Sequence, residues 1–176
     1  MTIPLMYHLF EVGEDVIFAA PTMDIVRDQL LRNVFPVIKA SRYRDLMPRA
    51  GAGARGGKSD LTFIEFRNGR VLRTMTGGGD DKSRSNYTAR VVIITEVDGL
   101  DETSEGSREA DKISQIEART QAFGDRARIY GECTVSTEEG RTWQEYSKGS
   151  ESRIAIRCVH CRAFVTPERE NVVGWQ

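Results

Sequence analysis

The run Val91-Val92-Ile93-Ile94-Thr95-Glu96-Val97-Asp98 limits what this chain can fold into more than any other stretch. Four β-branched residues in succession show no alternation, which is the pattern of a strand covered on both faces of a sheet. A strand of that kind belongs to an open α/β sheet, where ligands gather beyond the carboxyl ends of the parallel strands. Here the apolar run stops at Thr95 and gives way to Glu96, Asp98 and Gly99. Two carboxylates at the mouth of a hydrophobic strand suit a nucleotide hydrolase: one group serves the Mg²⁺ shell, the other orients the attacking water. The competing reading is a strand that simply ends in a polar turn.

The neighbouring segments supply the grammar of a parallel sheet with crossover helices. Met1 to Phe10 is apolar and uncharged, and reads as a buried helix already under way, ended by Gly13. His8 within it is expected to be a packed core histidine. Asp15 to Ala20 is a second continuous apolar strand, stopped by Pro21. Thr22 can cap the helix that follows, whose positions Ile25, Val26, Gln29, Leu30 and Asn33 recur at helical spacing until Pro36 kinks or ends it. Asn68-Gly69 between two strand-like runs predicts a hairpin. A helix from Glu105 to about Phe123 is expected to end at Gly124. A strand over 126–135, a helix over 138–146 and a strand over 153–156 complete the pattern.

Composition narrows the class. A chain of 176 residues, 39% hydrophobic and 29% charged, is long enough for one domain with a substantial core. No run approaches the length of a membrane span, so no membrane partner is expected. The first ten residues carry no basic cluster of the signal-peptide type. Three cysteines, two of them in a Cys-x-x-Cys pair, argue against a disulfide framework and for a reducing, cytosolic setting. The net charge of −1 hides a segment of net +6 over residues 27–58 and one of net −6 over residues 96–117. The basic segment suits a phosphate backbone, or else a solvated helix face and loop.

Several smaller signals carry chemistry. Ala52 to Ser59 satisfies a loose phosphate-loop pattern ending in Lys58, but no apolar strand leads in and no helix leads out. It is read as a flexible basic loop. Arg84 lies in the polar loop before the Val91 strand; it is either a solvated arginine or one that stabilises phosphoryl charge in a neighbouring subunit. Ser136 and Thr137 end a strand, where hydroxyls could sense a γ-phosphate or cap a turn. Cys158 and Cys161 make half of a tetrahedral zinc site, with Cys133 and His160 as candidates for the remainder; a dithiol redox pair is the alternative.

An ordered series of these residues resembles the large terminase subunit of tailed bacteriophages, in particular the lambda-like, GpA-type packaging ATPase domain. The series runs Phe66-Arg67-Asn68-Gly69, Lys82-Ser83-Arg84-Ser85, Ala89 to Asp98, Glu105-Gly106 and Glu117-Ala118-Arg119-Thr120 with Phe123. Val135-Ser136-Thr137, Trp143 and Arg157-Cys158-Val159-His160-Cys161 complete it. The resemblance implies an α/β fold of the RecA-like P-loop NTPase type: a mostly parallel sheet with flanking helices, an inserted β-hairpin and a C-terminal Cys-x-x-Cys turn. It implies that Glu96 is the carboxylate that positions water and that Thr95 stands where a Mg²⁺-holding Asp is usual. It makes Asp98 the second acid of the strand-end motif, and Ser136 and Thr137 the motif that couples hydrolysis to movement. Cys158 and Cys161 match the start of a zinc-binding-like element.

The implied cofactors are ATP and Mg²⁺, with zinc at the cysteine turn. The implied partners are double-stranded DNA, the small terminase subunit and the portal or procapsid, with a homo-oligomer at full length in the host-cell cytoplasm. The resemblance also places the phosphate loop upstream of Met1 and a nuclease domain beyond Gln176. The chain is then expected to be an internal piece, inactive alone: residues 1–150 a partial ATPase domain lacking its phosphate-loop strand, and residues 151–176 the start of a zinc-ribbon-like or connecting element. Two other functions compete, a zinc-stabilised nucleic-acid-binding module without catalysis and a small P-loop enzyme that uses Lys58.

Overall fold

The computed structural model describes residues 1–48, 61–77, 87–102, 112–135 and 137–166. The Lys58 loop, Arg84, Glu105-Gly106 and Ser136 lie outside the described residues. Five strands form one sheet: β1 (Val16–Ala20), β2 (Phe63–Glu65), β3 (Val71–Thr76), β4 (Val91–Thr95) and β5 (Arg128–Glu132), in the order β2-β3-β1-β4-β5. All neighbouring pairs are parallel except β2 with β3. That exception is the Asn68-Gly69 hairpin, whose Gly69 takes a φ of 75° that only glycine adopts without strain.

The two apolar runs become the two central strands because both faces of the sheet are covered. Every residue of β1 and of β4 is buried. Alternation divides them: Val16, Phe18, Val91 and Ile93 pack on one side, and Ile17, Ala19, Val92 and Ile94 on the other. The first side is covered by helix α1 (Thr2–Met6), which widens into a π-helical stretch over Tyr7–Val12, and by α2 (Met23–Asp28), a π-helical stretch over Gln29–Val34 and α3 (Phe35–Ala40). The second side is covered by α4 (Val97–Glu102) and α5 (Lys112–Glu117), the latter continuing as 3₁₀ turns over Ala118–Arg126. A further helix, α6 (Arg141–Lys148), follows β5.

Local signals act as expected at several points. Gly13 stops the first helix at φ 76°, and the Thr22 hydroxyl accepts the Ile25 amide at 3.3 Å. Pro36, expected to kink or end the helix, instead sits in the first turn of α3, which continues in helical backbone from the π-helical stretch before it. Other boundaries differ from the sequence pattern. Gly124 (φ 50°, ψ −132°) does break the helical path, yet the chain winds as 3₁₀ turns from Ala118 onward. In place of a strand over 153–156 there is a two-residue pair, β6 (Ile156–Arg157) with β7 (Phe164–Val165). A strand extends only as far as its partner does, and β7 is itself two residues long.

Among the described residues β5 pairs with β4 alone and forms an edge of the sheet. Its apolar Ile129 is 43% exposed, in contrast to every side chain of its neighbour β4. An edge strand of this kind presents unpaired backbone groups that invite another strand.

His8 is buried as expected, within a polar chain that ties the first helix to β5. Its Nδ1 lies 2.9 Å from Glu14 Oε2 and its Nε2 lies 2.9 Å from the Tyr130 hydroxyl. A carboxylate only accepts, so Nδ1–H donates to Glu14, and in the neutral ring Nε2 accepts from Tyr130. Glu14 also takes two bonds of 2.6 Å from the Arg90 guanidinium. That fork, opposed by burial and assisted by His8, holds the Glu14 carboxyl below the usual glutamate range. A lowered folded value means that stability from Glu14 is present above the ordinary glutamate titration and is lost as pH falls through the folded one. Arg90→Met is therefore expected to lower the melting temperature at pH 7 and to shrink the fall in stability on acidification. Parallel acid limbs for the two proteins in a melting-temperature series would contradict this.

Candidate active site at the tips of the central strands

The chain turns sharply where β4 ends. Thr95 is the last strand residue, Glu96 follows, and α4 begins at Val97. Glu96 has φ 54°, in the left-handed region that a side chain with a Cβ rarely occupies. Such strain of order 1 kcal/mol or more persists where the surroundings over-determine it, and it gathers at functional sites. Glu96 is half-buried and stands on the lip of a cleft of about 460 Å³, lined also by Pro21, Asp24, Ile25, Asp28 and Gly99. The tip of the central strand thus delivers a carboxylate to an open space beside the start of α2.

Parallel register sets the tip of β5 against it. Thr95 lies opposite Glu132, and its hydroxyl donates to Glu132 Oε1. The next residue, Cys133, sits 3.7 Å through its sulfur from Glu96 Oε2. Burial is the main cause that pushes the Cys133 thiol up, and the Asp98 and Glu96 charges act in the same direction. Glu132 is a part of the site that sequence reading did not single out, and Cys133 was singled out only as a candidate zinc ligand. The one signal in the sequence was that a second parallel strand must end next to the first.

Asp98 lies in the first turn of α4 and is held by α6. Its Oδ1 accepts both the amide and the hydroxyl of Thr142, each at 2.8 Å. Thr142 is the second residue of α6, whose first amides lack partners within the helix, and the residue before the helix is Gly140, with no side chain to serve as a cap. Asp98 therefore caps α6 from another element. A Cβ at Gly140 would lie 2.7 Å from Asp98 Oδ2, so a side chain there would displace the Asp98 carboxylate. Oδ2 itself is buried and has no hydrogen-bond partner among the described residues.

The other sequence candidates lie apart from this group or outside the described residues. Thr137 is exposed in the turn after β5, where its carbonyl accepts the Gly140 amide. Cys158 and Cys161 flank the turn between β6 and β7, closed by bonds from the Cys158 amide to Ala163 O and from the Arg162 amide to Cys158 O. Backbone amides of residues 160–162, chiefly that of Cys161, and the Cys161 thiol hold the Cys158 thiol down. Cys133, beside Glu96, does not join that pair. Among the described residues no three His, Cys, Asp or Glu side chains converge as a metal-binding group.

For ATP with Mg²⁺ the residues fit at one end. Thr95, Glu96 and Glu132 are hard oxygen donors, and Mg²⁺ asks the protein for only one or two of these, taking water and phosphate oxygens for the rest. The other end needs a loop of backbone amides and a lysine around the phosphates. The described residues do not supply it.

No described helix is long and apolar enough to cross a membrane. No curated protein and no solved structure matches the chain. The family model described as phage terminase large subunit gpA, ATPase domain, matches residues 5–176, and the chain belongs to that family.

Proposed function

We propose that this chain is part of the ATP-hydrolysing motor that drives viral DNA into a capsid, and that Glu96 is the carboxylate that orients the attacking water. The observation that carries this reading is the strained Glu96 backbone at the tip of a fully buried central strand, aimed at a cleft. Membership of the ATPase-domain family supports it independently. Thr95 stands at the metal side of that acid. Asp98, capping α6, ties the helix that follows Glu96 to α6, and Ser136 and Thr137, which precede α6 in the chain, couple hydrolysis to movement. Arg84 acts on phosphoryl charge in a neighbouring subunit. The sheet is RecA-like; residues 1–150 are the partial ATPase domain and residues 151–176 the start of the connecting element. Double-stranded DNA, the small terminase subunit and the portal are the partners, in a homo-oligomer within the host cytoplasm.

The exposed edge at β5, and a phosphate cradle that the described residues do not supply, support one further element of this reading. A strand that carries a phosphate loop pairs with the free edge of β5, and tight ATP binding depends on it. ATP binding measured by calorimetry separates this from the enzyme built on Lys58. The chain and its Lys58→Ala variant are expected to bind ATP equally poorly, and extension into the upstream coding sequence is expected to add affinity and turnover. Loss of tight ATP binding on Lys58→Ala would assign the phosphate loop to residues 52–59 and overturn the proposal.

A further inference from the structure

On the hydrolase reading, Thr95 leaves the metal side of the site without a charge on β4, and a carboxylate from the neighbouring strand lies beside it. Thr95 is 1% exposed, so its hydroxyl must be satisfied by the protein, and the group that satisfies it is the Glu132 carboxylate from the strand alongside. The two residues are in direct register across the parallel pair. The other two acids at the strand tips have different neighbours. Asp98 Oδ1 accepts from the Thr142 amide and hydroxyl, while its Oδ2, with no hydrogen-bond partner among the described residues, is buried beside Gly140. Glu96 is turned by its left-handed backbone onto the lip of the cleft and meets the Cys133 thiol.

Resting on the hydrolase reading above, we propose that Glu132 supplies the anionic oxygen of the Mg²⁺ position, with the Thr95 hydroxyl as its neutral partner: the charge has moved from β4 to β5. An Asp at position 95 would put two carboxylates directly opposite each other, an arrangement that like charges across a strand pair disfavour. A hydroxyl beside a carboxylate keeps a single negative charge at the same place. A hydroxyl is also a hard oxygen donor, so the pair suits a cation that keeps most of its own water. The acid at 132 and the threonine at 95 are thus one unit, and neither alone explains the other.

The test uses the full chain and Mn²⁺ as the probe, its free concentration read by electron paramagnetic resonance without nucleotide. Four proteins are compared: the natural chain, Glu132→Gln, Thr95→Asp, and the double variant that returns the charge to β4. Glu132→Gln is expected to weaken Mn²⁺ binding about tenfold or more, and the double variant to recover it. Thr95→Asp alone is expected to melt lower than the natural chain without metal and to gain more melting temperature from Mn²⁺ than any of the others. The melting series also shows that each variant folds. The proposal is overturned if the natural chain binds no Mn²⁺, if Glu132→Gln binds it as the natural chain does, or if the double variant binds no better than Glu132→Gln. Because the readout involves no hydrolysis, these failures leave the role of Glu96 standing. An inert Glu96→Gln substitution in an active, extended form would likewise sink the hydrolase reading without touching the Mn²⁺ result.

Discussion

Glu96→Gln is expected to lower ATP turnover about 10³-fold in a form of the protein that carries the phosphate loop, with ATP affinity little changed. Glutamine keeps the shape and loses the charge to which the proposed function assigns the attacking water, and removing a group of that kind costs about 10²- to 10⁴-fold. A loss confined to the chemical step appears in kcat and not in the binding constant. The strained backbone adds a second readout. Glu96→Gly removes the same carboxylate but accepts φ 54° without penalty, so it is expected to raise stability by about 1 kcal/mol while abolishing turnover. Loss of function together with gained stability is the mark of a residue held in place for chemistry. A Glu96→Gly protein that is both active and no more stable would remove Glu96 from the site.

Phe18→Ala is expected to cost about 3–5 kcal/mol, the range for removing a large aromatic side chain from a packed core. Phe18 is buried in the middle of β1, opposite Ile93 of β4, and packs against the layer made by the first three helices. Total stability of a domain this size is about 5–15 kcal/mol, so the variant should stand at the margin of folding. Leu31, on the same helical layer but 47% exposed, provides the contrast, and Leu31→Ala is expected to change stability by less than about 0.5 kcal/mol. Urea midpoints for both variants test the assignment of β1 as a central strand. Equal, small shifts would place it at an edge.

Those two positions also mark where sequence reading succeeds and where it stops. β1 and β4 were legible because a strand buried on both faces must be apolar at every position, and two such runs stand out against a chain that is 29% charged. The Asn68-Gly69 hairpin and the Thr22 cap were legible because their chemistry is local. Glu96 was legible as an acid at a strand end; its left-handed backbone was not, since nothing in the residue type calls for it.

The partners of the site depended on register between strands far apart in sequence. Thr95 meets Glu132 across 37 residues, and Asp98 meets Thr142 across 44. Neither pairing has a periodic or compositional trace. The exposure of β5 is hidden for a related reason. Its run through Ile129 and Tyr130 reads like any half-buried strand, and only the order of the sheet makes it an edge. The π-helical stretches at Tyr7–Val12 and Gln29–Val34 keep the helical repeat closely enough that the pattern of apolar positions does not reveal them.

The claim on which the functional reading turns is that a triphosphate lies against the tips of β4 and β5, beside Glu96. Cys133 is a built-in reporter of that place, since its sulfur lies 3.7 Å from the Glu96 carboxylate, while Cys158 and Cys161 lie on the separate β6–β7 turn. Mass-resolved alkylation of the three cysteines, with and without saturating Mg·ATP in a form that carries the phosphate loop, reads it directly. Slowed modification of Cys133 with unchanged rates at Cys158 and Cys161 is the predicted result; a Cys133 rate indifferent to Mg·ATP would contradict it.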